Sequence, residues 1–409
     1  MNLNTGGWAS PLLRLVARLR SEGVNSTTSV TEINGGTISA ANADIALVAK
    51  GTGATLAQVP DGTAAGGDKR GQYATDWQKF RNTATQVASG LRAVITGGSQ
   101  NTASGTGSFV GAGISNTASS LYSLVGAGST NNASGTYTVI GGGDTNTASS
   151  NFSFVGGGQS NLAQTNSHAA VCGGWTNTAS GAYAFVGGGQ NHIASGYGSM
   201  VGGGTSNSAT AQYATVAGGS TNTASSTYAF VGGGNDNTAN SQASFISGGV
   251  NGRTRGIVGY HAFPACNNPI AAASGVTQSA LLLLARETTT NTATVLTSNS
   301  SAAGTTNQVI LPNNSAYSFS GEVIAGVTAA GATARWTIDG AIKRGANAAS
   351  TAMVGTPTVT MTHFDAGAAT WVVAVTADTT NGGIAVTVTG AAATTIRWVC
   401  RINTVEVTY

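Results

Sequence analysis

The chain has 409 residues, of which 41% are hydrophobic and only 8% are charged, with a formal net charge of +3. An ordinary soluble domain carries about 25% charged residues, so a long nearly uncharged surface is expected. The Lys and Arg residues are scattered and form no basic cluster, which disfavours a nucleic-acid-binding protein.

The first 23 residues predict a short amphipathic helix that serves as an attachment segment. Ser10 and Pro11 suit the N-cap and first turn, and Gly23 follows the last apolar residue. Arginines interrupt the apolar positions too often for a signal peptide, and the segment is too short to span a membrane. Two interpretations stay open: packing on its own domain, or trimerisation and docking onto a larger particle.

Residues 24–90 predict a mixed shoulder domain. Residues 30–38 and 45–59 alternate as strands do, and residues 76–88 resemble the start of a capped helix. The charged residues of this part are expected to form a solvated patch or salt bridges between chains; they are Lys69, Arg70, Asp76, Lys79 and Arg81.

Residues 91–252 repeat one phrase: an aromatic residue, two residues, Val, three glycines, two residues, Asn, one residue, Ala and Ser. The asparagines that mark the repeat are Asn101, Asn116, Asn131, Asn146, Asn161, Asn177, Asn191, Asn207, Asn222 and Asn237, with a weaker echo at Asn251. Their spacing is about 15 residues and varies by one, which indicates a solenoid.

A coil of this length suits two strands of about five residues joined by two turns. The Val before the glycines and the Ala after the asparagine are predicted to face inward. One corner is assigned to glycine with positive φ; the repeat glycines are Gly142, Gly157, Gly188, Gly203, Gly218 and Gly233. The asparagines are expected to stack as a side-chain amide ladder.

Cysteine and histidine placement predicts no disulfide framework, metal site or cofactor. Cys172, Cys266 and Cys400 are far apart in the sequence, as are the four histidines. Cys172 stands where a coil has its first glycine and is predicted to be a small buried residue. The glycine runs lack the Gly-Lys-Ser or Gly-Lys-Thr of a phosphate loop.

The repeat resembles the head repeats of trimeric autotransporter adhesins, which also occur in bacteriophage tail fibres. The resemblance is carried by residues 185–189, Asn191 and residues 194–196, and it covers roughly 160 residues. It implies a left-handed parallel β-roll with three chains side by side. Residues 51–54, 60–62, 69–71 and 76–78 also resemble the segment that leads into such rolls in phage tail fibres.

Residues 253–264 form a linker, because the period stops after Gly252. Residues 265–409 predict a β-sandwich, probably a jelly-roll in class, since short alternating segments are separated by turn signals. The predicted strands are 280–285, 292–297, 308–311, 316–324, 332–338, 358–362, 370–375, 383–388 and 395–409. The predicted turns include residues 312–314, Asp339-Gly340 and residues 381–383.

The C-terminal third is similar to a domain that recurs in phage tail-fibre proteins. Residues 305–314, 377–383 and 406–409 carry this resemblance. It implies that the domain is the receptor-binding tip of a fibre.

The carboxylates do not predict a hydrolase. A glycosidase needs two carboxylates about 5 to 10 Å apart, whereas Asp144 and Asp236, the only charged residues between 93 and 252, lie six repeats apart, roughly 30 Å. The acidic residues of the last third are interpreted as turn caps and solvated edge charges; they are Glu287, Glu322, Asp339, Asp365, Asp378 and Glu406. Trp336, Trp371 and Trp398 are predicted to be core, while Tyr260 and Tyr317 are left open between core and ligand platform.

The sequence thus predicts an all-β homotrimer, a β-roll shaft about 50 Å long followed by a C-terminal β-sandwich. The expected function is non-enzymatic: a virion fibre made in the host cytoplasm that attaches a phage to a host receptor, possibly a glycan. The expected partners are two further copies, and other tail or baseplate proteins at the N-terminal region, without nucleic-acid binding or membrane insertion. The alternatives are a capsid head fibre or decoration protein, a polysaccharide-degrading tailspike, and a bacterial trimeric adhesin, which is disfavoured for lack of a signal peptide and terminal barrel strands.

Overall fold

The computed structural model describes residues 53–409 except 268, 271, 272, 274 and 330. This part of the chain is all-β, and its only helical segments are two short 3₁₀ turns, Ala348–Ser350 and Ala366–Ala368. None of the described helices is long and apolar enough to cross a membrane. The helix predicted within residues 1–23 and the strand predicted for 30–38 lie outside the described residues.

A first ladder of parallel strands runs along the solenoid. From β3 onward its strands recur every 15 or 16 residues, while Thr55 pairs with Thr75 and Thr75 with Val94, so the first two coils are longer. The strands are β1 (Thr55–Leu56), β2 (Thr75–Asp76), β3 (Val94–Ile95), β5 (Phe109–Val110), β7 (Leu124–Val125), β9 (Val139–Ile140), β11 (Phe154–Val155), β13 (Ala170–Val171), β15 (Phe185–Val186), β17 (Met200–Val201), β19 (Thr215–Val216), β21 (Phe230–Val231), β23 (Phe245–Ile246) and β24 (His261–Pro264). The solenoid predicted from the repeat is therefore confirmed, and its ladder extends on both sides of residues 91–252.

A second parallel ladder forms another side of each coil. Its strands are β4 (Thr102–Ala103), β6 (Thr117–Ala118), β8 (Asn132–Ala133), β10 (Thr147–Ala148), β12 (Leu162–Ala163), β14 (Thr178–Ala179), β16 (Ile193–Ala194), β18 (Ser208–Ala209), β20 (Thr223–Ala224) and β22 (Thr238–Ala239). Single parallel bridges form a third column, from Phe80–Ser99 to Asn235–Val250. Each coil therefore has three short extended segments, and the predicted pair of five-residue strands is wrong because the chain turns after every two or three residues.

The solenoid core is a narrow column of small side chains. The Val or Ile that ends each first-ladder strand and the Ala that ends each second-ladder strand are fully buried, as at Val155 and Ala163. A third inward position holds Ser, Thr or Ala, as at Ser153. The inward placement predicted for the repeat Val and Ala is confirmed.

The helix predicted at residues 76–88 is wrong, because Thr75–Asp76 is already a strand of the first ladder. Asp76 occupies the inward position that Ile95 holds in the next coil. Its carboxylate accepts hydrogen bonds from Arg70 Nε (2.8 Å) and Arg81 Nη2 (3.2 Å), and all three side chains are buried. The solvated patch predicted for these three residues is therefore wrong, since an inward charge needs buried partners.

The C-terminal part continues the first ladder as an antiparallel sheet. Its strands are β25 (Thr277–Thr288), β28 (Ser315–Val327), β29 (Thr333–Arg344), β30 (Ala352–Met353), β31 (Thr358–Phe364) and β34 (Ile396–Thr408). The order is β24-β25-β34-β28-β29, and β29 then pairs with both β30 and β31. The last strand lies at the centre of the sheet, as predicted for the final residues.

A smaller antiparallel sheet packs against this one. Its strands are β26 (Thr294–Val295), β27 (Val309–Ile310), β32 (Val372–Asp378) and β33 (Gly383–Thr389), with β33 between β32 and the other two. Trp398 of the large sheet lies 5.7 Å from Trp336 and 5.6 Å from Trp371, measured between ring centroids. The core role predicted for the three tryptophans is confirmed.

All nine strands predicted in the C-terminal third correspond to observed strands, but the predicted Asp339-Gly340 turn is wrong. Strand β29 runs straight through it, with Gly340 paired to Phe319. A Cβ on Gly340 would lie 2.7 Å from the Phe319 ring, so this glycine makes room for the ring. The other two turns form where predicted.

Candidate functional surfaces of the solenoid and the C-terminal domain

The repeat asparagines bond to the backbone of neighbouring coils. Asn146 Oδ1 accepts from the backbone N–H of Asn161, and Asn146 Nδ2 donates to the carbonyls of Gly142 and Gly158, each at 2.9 Å. Direct amide-to-amide bonds occur at Asn131 to Asn116 and Asn237 to Asn222. The predicted ladder is present, but most of its bonds join a side chain to backbone, because the inward loop carbonyls would otherwise lack donors.

Asn191 does not belong to this ladder, and the sequence register there was wrong by one residue. His192 takes the position: its backbone N–H donates to Asn177 Oδ1, and its Nδ1 accepts from the Asn207 backbone N–H at 3.1 Å. Asn191 instead occupies the left-handed residue before the ladder position, with φ of 57°. Intervals of 14 and 16 residues on either side of Asn191 were the signal, since His192 restores 15 and 15.

Asn251 repeats this shift at the end of the shaft. It has φ of 61°, and the backbone N–H of Gly252 donates to Asn237 Oδ1 at 2.8 Å. Gly252 therefore takes the ladder position and supplies no side-chain amide for a further coil.

The corner of each coil needs the third glycine of the run. Those glycines have φ between 84° and 95°; they are Gly143, Gly158, Gly174, Gly189, Gly204, Gly219 and Gly234. Of the predicted corner residues, Gly142, Gly157, Gly203 and Gly218 have no positive φ, and Gly188 and Gly233 have φ of 149° and 154°. The sequence contained the signal, because Ala112 and Ala127 replace the second glycine while the third stays Gly.

A column of rings stacks on an outer corner of the solenoid. We call this the ring column; it consists of Tyr122, Tyr137, Phe152, His168, Tyr183, Tyr197, Tyr213 and Tyr228. Adjacent centroids are 4.8 to 5.5 Å apart. All members except Tyr197 have positive φ, and Tyr197 reaches the column from beside Gly198. Because most of the rings stack face to face, their edges rather than their faces meet the solvent.

A second apolar row lies two residues further along each coil. We call it the outer row; it is the first residue of each strand from β5 to β23: Phe109, Leu124, Val139, Phe154, Ala170, Phe185, Met200, Thr215, Phe230 and Phe245. The outer row and the ring column together form an apolar strip across about ten coils. Strips of this size on soluble proteins mark interaction surfaces.

A buried polar cluster joins the solenoid to the C-terminal sheet. Glu406 is 3% exposed and accepts from Arg255 Nη2 (3.0 Å), Gln278 Nε2 (2.9 Å) and the Tyr260 hydroxyl. Arg255 also lies 5.8 Å from the centroid of the Tyr317 ring. Burial raises the pKa of the Tyr260 hydroxyl, and the Glu406 carboxylate raises it further.

Both questions left open by the sequence are answered at this junction. Tyr260 and Tyr317 are core residues, and Glu406 is buried, so its interpretation as a solvated edge charge was wrong. The signal was the alternation of β34, which places Glu406 on the same face as Trp398, Cys400 and Ile402.

The remaining carboxylates lie in separate environments. Asp144 accepts from Gln159 Nε2 at 3.3 Å, and Asp236 lies 3.4 Å from Arg253 Nη2. Asp378 caps a turn, accepting from the backbone N–H groups of Thr380 and Asn381, as predicted. Within the described chain, no group of three or more His, Cys, Asp or Glu residues has the geometry to hold a metal ion.

The cysteines are free thiols, and one prediction about them is wrong. Cys172 is exposed, because the first glycine position of a coil points outward. Cys400 is buried on the inner face of β34, and this burial raises the pKa of its thiol to about 12.

A groove of about 610 Å³ lies at the far edge of the C-terminal sheet. We call it the distal groove; its lining consists of Ile324, Thr333, Ala334, Arg335, Thr362, His363, Phe364 and Asp365. Arg335 Nη2 donates to Glu322 Oε1 at 2.5 Å, and this bond together with the guanidinium charge lowers the pKa of Glu322. Sequence analysis named Asp365 and Glu322 but missed the groove, because its residues come from three strands and a following turn.

Comparison with known proteins assigns the chain to no family. No family model matches it, and no curated protein has significant sequence similarity to it. The function is therefore inferred from the ladder, the apolar strip, the junction and the distal groove.

Proposed function

We propose that this protein is a structural fibre subunit that attaches a bacteriophage to its host cell. The observation that carries the proposal is the continuity of the first ladder, which runs from Thr55 to His261 and passes through β24 and β25 into the C-terminal sheet. A ladder bonded along its whole length is a stiff stem, since each coil packs on the next. Such a stem holds its terminal domain at a fixed distance from its base.

In this proposal the C-terminal domain is a β-sandwich of the jelly-roll class and forms the receptor-binding tip. Its two antiparallel sheets pack across the three tryptophans, which supports this class. The buried cluster around Glu406 fixes the domain to the stem, so that the tip follows the orientation of the shaft.

The fibre is a homotrimer, and the apolar strip is its seam. The strip is uncharged and repeats once per coil, so a surface of the same period matches it along its whole length. A second and a third copy supply that period. Three tips on one stem gain avidity because binding of the first raises the effective concentration of the others.

The trimer is tested by sedimentation of the purified full-length chain. We expect three times the mass of one chain, and we expect Phe154→Ser combined with Phe185→Ser to lower the assembled mass. Ile193→Ser is the matched control, because Ile193 is also exposed but lies on the second ladder. A wild-type monomer would contradict the trimer, and an equal effect of the control would contradict the seam.

Adhesion rather than turnover is the proposed activity. Asp144 and Asp236 lie on different coils, and each already has a polar partner. This arrangement does not favour the tailspike alternative, which requires a paired acid and base. The head-fibre alternative shares the same stem and differs in where the particle carries it.

Attachment is tested by adding purified full-length protein to candidate bacterial hosts and measuring bound protein and released saccharide. Saturable binding without saccharide release supports a receptor-binding fibre. Release of saccharide would favour the tailspike. Absence of binding to hosts that the phage infects, with immunogold labelling on the capsid, would favour the head fibre.

A further inference from the structure

The distal groove lies at the end of the molecule furthest from the solenoid. Strand β31 forms the far edge of the large sheet, five strand spacings beyond β24, which is roughly 24 Å of ladder. The groove opens where β28, β29 and β31 come together at their ends remote from the Arg255 junction. A fibre that meets a cell end-on would present this edge first.

The side chains of the groove combine one aromatic surface with planar polar groups. Phe364 is 55% exposed. Beside it, Arg335 Nη1 lies 3.4 Å from Thr362 Oγ1, and Asp365 Oδ2 accepts from the Thr333 backbone N–H at 2.8 Å. A β-bulge between Arg335 and Trp336 shifts the register of the edge strand here, and bulges of this kind re-aim side chains at sites.

The charges of the groove are internally balanced. Glu322 is shared by Arg335 and by Arg401, whose Nη2 lies 3.6 Å from Oε2. Asp365 adds a carboxylate at the rim, so the site has no excess positive charge to attract an anionic ligand. A neutral ligand with both hydroxyl groups and an apolar face fits this chemistry.

We propose that the distal groove binds a neutral hexose or N-acetylhexosamine of a surface glycan. The apolar face of the sugar packs on Phe364, and its hydroxyl groups bond with Arg335 and Asp365. The size of the groove lies within the usual range of small-molecule sites. This inference rests on the proposed function, since it names the ligand class of the tip.

Saturation-transfer NMR on the full-length protein tests this site. The probes are methyl α-mannoside, methyl β-galactoside, N-acetylglucosamine and, as the anionic comparison, N-acetylneuraminic acid. We expect at least one neutral probe to bind, and Phe364→Ala or Arg335→Gln to weaken its affinity by at least about tenfold. Phe263→Ala is the matched control, because Phe263 is a similarly exposed phenylalanine on β24 and should leave binding unchanged.

The outcomes separate this inference from the proposed function. Binding of no probe, preference for the anionic probe, or equal loss in the Phe263 control would overturn the groove assignment. Should those results coincide with normal attachment of the protein to host cells, the fibre proposal would stand and the receptor site would lie elsewhere. A loss of folding in Phe364→Ala would be detected by circular dichroism, and Arg335→Gln would then decide the test.

Discussion

At the residue scale, the third glycine of each coil is the position least open to change. Gly158 has φ of 85°, and a Cβ there would lie 2.1 Å from the Gly174 carbonyl oxygen of the next coil. The neighbouring Gly157 has no positive φ, and its Cβ would lie 3.9 Å from the nearest atom, the Gly142 carbonyl oxygen. Two adjacent glycines therefore have different roles.

We predict that Gly158→Ala lowers the free energy of unfolding by at least about 2 kcal/mol, because left-handed strain adds to the backbone clash. Gly157→Ala is the control and should change it by less than about 0.5 kcal/mol. Thermal unfolding followed by circular dichroism measures both. Equal losses in the two variants would refute the corner assignment.

His192 is the second informative residue, because it interrupts the asparagine ladder. Burial lowers the pKa of its imidazole by desolvating the charged form. As the pH falls below about 6.5, the unfolded chain binds a proton at His192 that the folded chain excludes. Stability contributed by the neutral imidazole is thus complete above this pH and lost as the pH falls toward the folded pKa.

We predict that His192→Asn raises stability at neutral pH by about 1 kcal/mol, because the amide supplies a donor to the glycine carbonyls. It should also reduce the loss of stability on acidification below pH 6.5. Denaturant unfolding between neutral and mildly acidic pH measures both effects. If wild type and variant lost stability in parallel, the folded chain would tolerate the charged imidazole.

At the element scale, the junction between the solenoid and the large sheet depends on one buried carboxylate. Glu406 comes from the central strand β34, whereas Arg255 and Tyr260 come from the last turns of the solenoid. Removing one partner of a buried ion pair leaves an uncompensated charge, which costs more than the pair contributes. The last strand therefore couples the end of the chain to the end of the shaft.

Glu406→Gln is expected to destabilise the C-terminal domain by about 3 kcal/mol, since Arg255 loses its counter-charge. Glu287→Gln is the matched control: it removes a solvent-exposed pair with Arg397 and should cost less than about 1 kcal/mol. Near-ultraviolet circular dichroism of the buried tryptophans follows the unfolding. A loss no larger than that of the control would mean that the junction is held by packing alone.

At the scale of the whole molecule, the solenoid is a sum of coils that contact mainly their neighbours. Removal of one full period should therefore join two compatible coils. Residues 146–160 form such a period, since Asn146 and Asn161 occupy the same ladder position.

Deletion of residues 146–160 is expected to shorten the shaft by about 4.8 Å and to leave both ends folded. Deletion of residues 146–155 is the control, because it removes ten residues and breaks the register of all three columns. Electron microscopy of the shaft and circular dichroism of the tip measure the outcome. Collapse of the tip in the full-period deletion would show that the regions do not fold independently.

The sequence by itself determined the solenoid, its period of about 15 residues, the inward Val and Ala, and nine strands of the C-terminal third. These follow from alternation and repetition, which express which side chains must leave water. Only the tertiary structure decided between neighbours such as Asn191 and His192, or Gly157 and Gly158. The choice there depends on which residue meets the next coil, a contact between residues 15 positions apart.

The junction and the distal groove were likewise decided by tertiary structure. Glu406 and Arg255 are separated by 151 residues, and pairing of β25 and β28 with β34 brings the end of the chain to the end of the shaft. The groove combines Ile324, Arg335 and Phe364 from three strands. Local pattern fixes the face on which a side chain lies, whereas the order of strands in the sheet fixes which side chains meet, because that order depends on long-range pairing.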